Sequence, residues 1–154
     1  MFNAMKTMGA AFWLVLASTF PLAAQHAHAA HGNAADVDAI RDVVTTAYVK
    51  GIHGNGSREA IRRGFHPSFV MKVLTDGQVG DVTIEEWISR LPAEGTPARR
   101  VDHRFPAVHV AGDAAVAVVE LDIEGRHTFT DYISLYRFPE GWRIVGKIFN
   151  RHGG

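Results

Sequence analysis

The chain has 154 residues, of which 47% are hydrophobic and 21% are charged, which is the length and composition of one globular domain. Sixteen basic and 16 acidic residues give a formal net charge of zero, so no surplus of positive charge favours nucleic acid as a partner. Cysteine is absent, which excludes disulfides, thiolate metal sites and cysteine nucleophiles.

The first 29 residues have the pattern of a secretory signal peptide. Lys6 supplies a positive charge, and the uncharged apolar run over 10–22 is shorter than the roughly 20 residues that cross a bilayer. Ala27-His28-Ala29 is a small-x-small cleavage site. We therefore expect a periplasmic or secreted protein, cleaved after Ala29, with a short linker at 30–35 and no membrane contact once the leader is removed. A leader retained as an anchor is the alternative.

Two helices are expected at the start of the mature domain. Apolar residues recur at three- and four-residue spacing over 37–50, and Asp36 is the expected N-cap of this first helix. The glycine-rich segment 51–56 predicts a loop, because glycine is unfavourable inside a helix. This segment lacks the Lys-Ser/Thr ending of a phosphate-binding loop, so nucleotide binding is not expected. A second helix is expected from Ser57, as its cap, through Gly64.

A strand, a hairpin and a third helix are expected next. The apolar run over 69–74 predicts the strand, and Asp76-Gly77 predicts a tight turn that returns the chain antiparallel to it. The residues at 83–86 form a capping box, which predicts a helix over 84–91.

The rest of the chain has the pattern of four strands. Turn-forming residues separate the predicted strands by so few positions that only antiparallel hairpins can connect them. Helices followed by strands, within one domain at 36–152, predict an α+β fold with the helices packed on one face of the sheet. The four strands are expected at roughly 99–110, 114–123, 126–138 and 141–151.

Two parts of the sequence resemble the nuclear-transport-factor-2-like (NTF2-like) superfamily. Phe65-His66-Pro67-Ser68-Phe69 is similar to the start of the first strand in SnoaL-like members, and 131–135 with 141–149 is similar to the last two strands of the putative lumazine-binding group. The resemblance covers about 36–152. It implies an α+β cone in which N-terminal helices pack on a curved antiparallel sheet around one pocket, often in a dimer formed by the outer sheet face. Such cones serve catalysis in some members and plain binding in others.

Strand alternation predicts which polar side chains face the pocket. It places Asp131 on the inner face of its strand, together with His127. A tight hairpin before the last strand would bring Asn150 to the same inner face and turn Lys147 outward. A change of one residue in the strand register would exchange Asn150 and Lys147.

Asp131 is the most informative polar residue, because a carboxylate among apolar neighbours needs a partner or a ligand. It either contacts a ligand or ties the sheet to the first helix, through Tyr48 or a histidine. With His127 as a proton partner, Asp131 is also the candidate acid-base group of a SnoaL-like lyase, isomerase or cyclase. The first-strand carboxylate of steroid-isomerase-like relatives is missing from 65–74.

The other candidate ligand contacts are aromatic residues expected on the inner surface and one histidine at a helix-to-strand corner. Core packing is the alternative for the aromatic residues, and capping of a backbone carbonyl is the alternative for the histidine. No cofactor is expected. No metal is expected either, because His103, His109 and His127 would need adjacent strands to bring them together. The aromatic candidates are Tyr48, Phe65, Phe69 and Trp87, and the histidine is His66.

The leading hypothesis from the sequence is an exported domain that binds a small, partly apolar molecule in its cone. The alternatives are the enzyme just described and a structural dimerisation module with a filled cone. An open pocket above about 300 Å³ that holds Asp131 and a histidine would favour binding or catalysis over the filled cone. A homodimer is expected through an aromatic outer patch of Tyr132, Tyr136, Val145 and Phe149 among Thr128, Thr130, Arg143 and Lys147.

Overall fold

The computed structural model describes residues 34–153, and the predicted signal peptide lies outside them. Helix α1 spans Ala34–Val43 and continues as a π-helical segment, Val44–His53. Helices α2 and α3 span Arg58–Gly64 and Ile84–Ser89. The strands are β1 Phe65–Thr75, β2 Gln78–Thr83, β3 Val101–Ala111, β4 Ala114–Ile123, β5 Arg126–Phe138 and β6 Gly141–Arg151.

The strands form one curved, open sheet in the order β2-β1-β6-β5-β4-β3, with the helices on its inner face. Strands β3 to β6 are joined by antiparallel hairpins, as predicted. Strand β1 joins the other edge of β6 in parallel, and β2 returns antiparallel along β1. The predicted α+β architecture is confirmed.

The first helix begins and ends elsewhere than predicted. It starts at Ala34, so Asp36 lies in its first turn and is not the N-cap. The Asp36 carboxylate instead accepts hydrogen bonds from Arg137 Nη2 at 2.6 Å and Trp142 Nε1 at 3.3 Å. Asp36 therefore ties the start of the helix to the β5–β6 hairpin.

The loop predicted over 51–56 was wrong in its first half, because residues 51–53 belong to the π-helical segment. A Cβ atom at Gly51 would lie 2.7 Å from Ile61 Cγ1, so the glycine allows α2 to approach closely. This packing outweighs the low helix propensity of glycine. The segment ends where the Gly54 N–H bonds the Val49 carbonyl oxygen, five residues back, at 2.9 Å.

The cap signals at Ser57 and at 83–86 and the turn signal at Asp76-Gly77 are confirmed. Ser57 accepts a hydrogen bond from the Ala60 N–H at 3.4 Å, and Thr83 with Glu86 forms both bonds of the capping box. Asp76 and Gly77 adopt φ angles of 49° and 76°, as a tight type I′ hairpin requires. Strand β1 starts four residues earlier than predicted, and α3 ends two residues earlier.

A β-bulge in β6 decides which side chains of that strand face inward. Ser134 pairs with Gly146 and Leu135 pairs with Ile144, so Val145 is the extra residue. Alternation reverses at this point: Ile144 is buried before the bulge and Lys147 is buried after it. The predicted faces of Lys147 and Asn150 were therefore wrong, and Asn150 is exposed on the outer face.

A second bulge has the same effect near the start of β5. Leu121 pairs with Phe129 and Asp122 pairs with His127, so Thr128 is the extra residue. Phe129 keeps its predicted inward direction, but His127 turns to the outer face beside Asp122. The predicted inward direction of His127 was wrong for this reason.

Candidate functional site

A cavity of about 500 Å³ opens between α3, the loop that follows it and the ends of β4, β5 and β6. This volume lies within the range of small-molecule sites and contradicts a cone filled by its own side chains. Its apolar walls come from both helices and strands: Ile52, Met71, Trp87, Leu91, Pro92, Ile123, Phe129 and Phe149.

Lys147 forms the floor of the cavity, with Asp131 behind it. The Lys147 side chain is 4% exposed, and its Nζ lies 2.7 Å from Asp131 Oδ1. The Tyr48 hydroxyl donates to Asp131 Oδ2 at 2.7 Å. Asp131 is fully buried, so the ammonium group stands between this carboxylate and the cavity. The tie between Asp131 and Tyr48 is one of the two interpretations predicted for Asp131, and Asp131 does not itself line the cavity.

Burial and pairing shift the pKa values of Asp131 and Lys147 in opposite directions. Burial raises the pKa of Asp131 and lowers the pKa of Lys147, while each partner's charge favours the ionised form of the other. Burial and the neighbouring Asp131 charge raise the pKa of Tyr48 well above its ordinary value. Tyr48 is therefore a neutral hydrogen-bond donor. Each charge of the pair depends on the other, because either one alone would be unpaired in the core.

Aromatic rings surround the Lys147 ammonium group. A cation within about 6 Å of a ring centroid is attracted by the negative face of the ring. Three of the four rings belong to residues that also line the cavity, so the pair and the cavity share one wall. The distances from Nζ to the ring centroids are 4.1 Å for Phe149, 5.3 Å for Tyr48, 5.4 Å for Trp87 and 5.8 Å for Phe129.

His53 adds a second polar group to the cavity wall. Its Nε2 atom is buried and has no hydrogen-bond partner within residues 34–153. Burial, and then the positive charges of Lys147 and Arg99, lower the pKa of His53 to about 3, so the imidazole is neutral near pH 7. A neutral imidazole with a free nitrogen can form a hydrogen bond with a ligand. The sequence reasoning missed His53, because it assigned the segment to a loop.

Basic residues surround the rest of the cavity. Arg90, Arg99, Arg126 and Arg151 line it and are exposed, so they stand at its mouth. Glu124 is the one carboxylate among the lining residues, and its Oε1 accepts the Arg100 N–H at 2.9 Å.

Of the predicted aromatic contacts, only Trp87 lines the cavity. Phe65 and Phe69 are buried in the core, where their rings meet edge to face at 4.9 Å. His66 lies outside the cavity, stacked on Phe138 at 4.6 Å. Its Nδ1 is 2.6 Å from Ser68 Oγ, within the same strand.

The predicted acid-base pair of Asp131 and His127 is not brought together. His127 Nδ1 lies 3.1 Å from Asp122 Oδ1, and its ring is 4.0 Å from the ring of His152. His127, Asp122 and His152 all lie outside the lining of the cavity. The bulge at Thr128 is the reason, because it turns His127 away from the face that carries Asp131.

Residues 34–153 contain neither a metal-binding cluster nor a membrane-spanning helix. No three His, Asp or Glu side chains in this range converge in a way that could hold a metal ion. His103, one of the three histidines considered from the sequence, instead lies 3.1 Å from Thr45 Oγ1. No helix in the range is long and apolar enough to cross a bilayer.

The family described as "Putative lumazine-binding" matches residues 35–150 of this chain. An NTF2-like protein of unknown function from Shewanella baltica has a TM-score of 0.66 and 19% identity, over 80% of this chain and 99% of that one. An NTF2-like protein of unknown function from Silicibacter pomeroyi has a TM-score of 0.64 and 22% identity, over 79% and 100%. A third, from Methylobacillus flagellatus, has a TM-score of 0.61 and 22% identity, over 79% and 96%. These three structures are 19–22% identical to this chain, so they show the fold alone. No curated protein matches significantly.

The first testable prediction concerns the buried ion pair. Lys147→Met should lower the free energy of unfolding by about 3–5 kcal/mol near pH 7, because it leaves a buried carboxylate unpaired. Lys72→Met is the matched control: its Nζ lies 2.7 Å from Asp81 Oδ1, but both side chains are half exposed. This control should cost about 1 kcal/mol or less by urea denaturation. If the two variants lowered the free energy of unfolding equally, the Lys147 charge would not be buried against Asp131.

The same variant should show a pH dependence of known sign. Without Lys147 the folded-state pKa of Asp131 lies further above its unfolded value, so the folded protein holds the extra proton. The stability of Lys147→Met should therefore fall, relative to the wild type, as pH rises from about 5 to about 8. Adding Asp131→Asn should restore part of the stability and remove this pH dependence.

A second prediction concerns His53. Its pKa is lowered to about 3 in the folded protein, so the unfolded chain binds more protons between that value and 6.5, and stability falls on acidification. His53→Gln should reduce the loss of stability between pH 6.5 and about pH 4.5 by about 2 kcal/mol, measured by urea denaturation. His109→Gln, at an exposed histidine outside the cavity, is the control. If His53→Gln lost as much stability as the wild type between pH 6.5 and about pH 4.5, the imidazole would not be buried and neutral.

Proposed function

We propose that this chain, which belongs to the putative lumazine-binding family of NTF2-like domains, binds a small, partly apolar molecule in the cavity above Lys147. The observation that carries the proposal is the open cavity itself, with aromatic walls and two convergent polar groups, Lys147 and His53. Apolar walls with a few placed polar groups are typical of ligand sites. The family's description does not identify the ligand.

Binding without catalysis is the function we favour over a lyase, isomerase or cyclase. A general acid or base must come within hydrogen-bond reach of the reacting group. Asp131 has no exposed surface and lies behind Lys147, so it does not meet a ligand in this arrangement. His127 lies on the outer face of the sheet.

We also propose that the protein acts outside the cytoplasm as a homodimer. The signal-peptide pattern at 1–29 supports export. An apolar patch on the outer face of the sheet supports the dimer. It differs from the predicted patch, because Phe149 and Lys147 face inward and line the cavity. Tyr132 lies opposite Ile148 in the sheet, and the exposed apolar residues of β4, β5 and β6 adjoin one another. The outer patch consists of Val116 at 40% exposure, Tyr132 at 45%, Tyr136 at 53% and Ile148 at 55%.

Native mass spectrometry tests the ligand and export proposals together. Protein purified without denaturation from its own source should carry a bound small molecule, and its polypeptide mass should correspond to cleavage after Ala29. Leu91→Trp should reduce the bound fraction, because it fills the cavity, whereas Leu74→Trp, at an exposed site outside it, should not. Ligand-free wild-type protein would count against the binding proposal, and a full-length polypeptide would count against cleavage.

The dimer has its own test. Tyr136→Glu places a charge in the outer patch and should yield a monomer by light scattering, because an ionised group at an apolar interface loses its hydration. Leu74→Glu is the control, since Leu74 is 72% exposed on the β1–β2 hairpin and lies outside the patch. A dimer that survives Tyr136→Glu, or a monomeric wild type, would show that this face is not the interface.

A further inference from the structure

We infer that the cavity selects a small organic oxyanion, with an apolar body held by the aromatic walls and a carboxylate-like group held by the arginines at the mouth. This inference rests on the proposed function, because it names the chemical class of the molecule that the cavity binds.

The first observation is a concentration of positive charge on a neutral chain. The 154 residues carry equal numbers of basic and acidic side chains. Four arginines nevertheless line one cavity, and they come from four separate segments of the fold: the end of α3, the loop before β3, the start of β5 and the end of β6. The single carboxylate of the wall, on Glu124, is already engaged by a backbone N–H.

The second observation is that none of these four arginines lies within ion-pair distance of a carboxylate of residues 34–153. Of the eight other arginines in residues 34–153, Arg58 donates to the side-chain oxygen of Asn55 and to backbone carbonyls. The remaining seven each form an ion pair with a carboxylate: Arg41, Arg62, Arg63, Arg100, Arg104, Arg137 and Arg143. Arg90, Arg99, Arg126 and Arg151 form none with the carboxylates of the same range. Arg151 Cζ lies 5.2 Å from the centroid of the Phe129 ring, and hydrogen bonds from Thr83, together with the Arg90 charge, lower the pKa of Glu86. The planar guanidinium fork matches the geometry of carboxylate and phosphate groups, so the unpaired guanidinium groups at the mouth can hold an anion.

The third observation sets the orientation of the ligand. The arginines are exposed, whereas Trp87, Phe129 and Phe149 are half-buried deeper in the cavity. The floor presents no competing negative charge, because Asp131 is covered by Lys147. His53 is neutral, lines the cavity and has a buried Nε2 without a partner in residues 34–153, which can bond a polar atom on the inner end of the ligand. The apolar body therefore points inward and the anionic group points toward the mouth.

Three naphthalene probes of one shape test the charge preference by calorimetry on the full chain. They are the anion 2-naphthoate, the uncharged 2-naphthamide and the cation 2-naphthylmethylammonium. The naphthoate should bind at least about tenfold more tightly than the amide, and the cation should bind most weakly. Raising the salt concentration from about 0.02 M to about 0.5 M should weaken the naphthoate and leave the amide unchanged, because salt screens exposed charges. A fourth probe, 2-naphthyl phosphate, distinguishes a phosphate ester from a carboxylate as the preferred oxyanion.

Two matched variants assign the effect to the mouth. One triple variant removes three charges at the mouth: Arg99→Gln, Arg126→Gln and Arg151→Gln. Its affinity for naphthoate should fall to its affinity for naphthamide. The control combines Arg41→Gln, Arg62→Gln and Arg63→Gln, which lie on exposed helix surfaces outside this cavity and change the net charge by the same amount. The control should keep the naphthoate preference.

The possible results separate the inference from the proposed function. Equal, salt-independent binding of naphthoate and naphthamide would overturn the anion preference and leave a cavity that binds neutral molecules. A naphthoate preference lost equally in both triple variants would also overturn it, because the effect would then follow net charge and not the mouth. Absence of binding by every probe would overturn both the inference and the proposed function. A tighter fit for the phosphate would uphold the oxyanion site and assign its class.

Discussion

The buried ion pair between Lys147 and Asp131 is the interaction on which the site depends. It joins β6 to β5, and the Tyr48 hydroxyl extends it to the first helix. The ammonium group also makes cation–π contacts with aromatic rings, and three of these rings line the cavity. One pair of opposite charges therefore fixes the floor of the site and connects it to the helices.

The cavity separates two kinds of chemistry. Its depth offers aromatic surface, a neutral imidazole at His53 and a lysine whose charge is already balanced. Its mouth offers guanidinium groups on a chain whose total charge is zero. In the proposed binding function, this separation lets a chain of zero net charge discriminate between ligands. Shape and apolar contact act inside, and charge acts at the opening.

Much of the fold was predictable because local signals and tertiary packing agree. The Asp76-Gly77 turn, the capping box at 83–86 and the hairpins of the second half are all present. The site was harder to predict, since it depends on irregularities that leave little trace in the sequence. The bulge at Val145 exchanges Lys147 and Asn150, and the packing of Gly51 against Ile61 keeps His53 in a helix that glycine propensity would end.

The bulge at Val145 turns Lys147 inward onto Asp131 beneath the cavity. A crystal structure of the mature chain with 2-naphthoate would test this arrangement. We expect the Lys147 ammonium group within ion-pair distance of Asp131, the naphthalene rings above it, and the carboxylate among the arginines of the mouth. A regular β6 strand, with Lys147 in solvent and Asn150 beside the bound ring, would refute it.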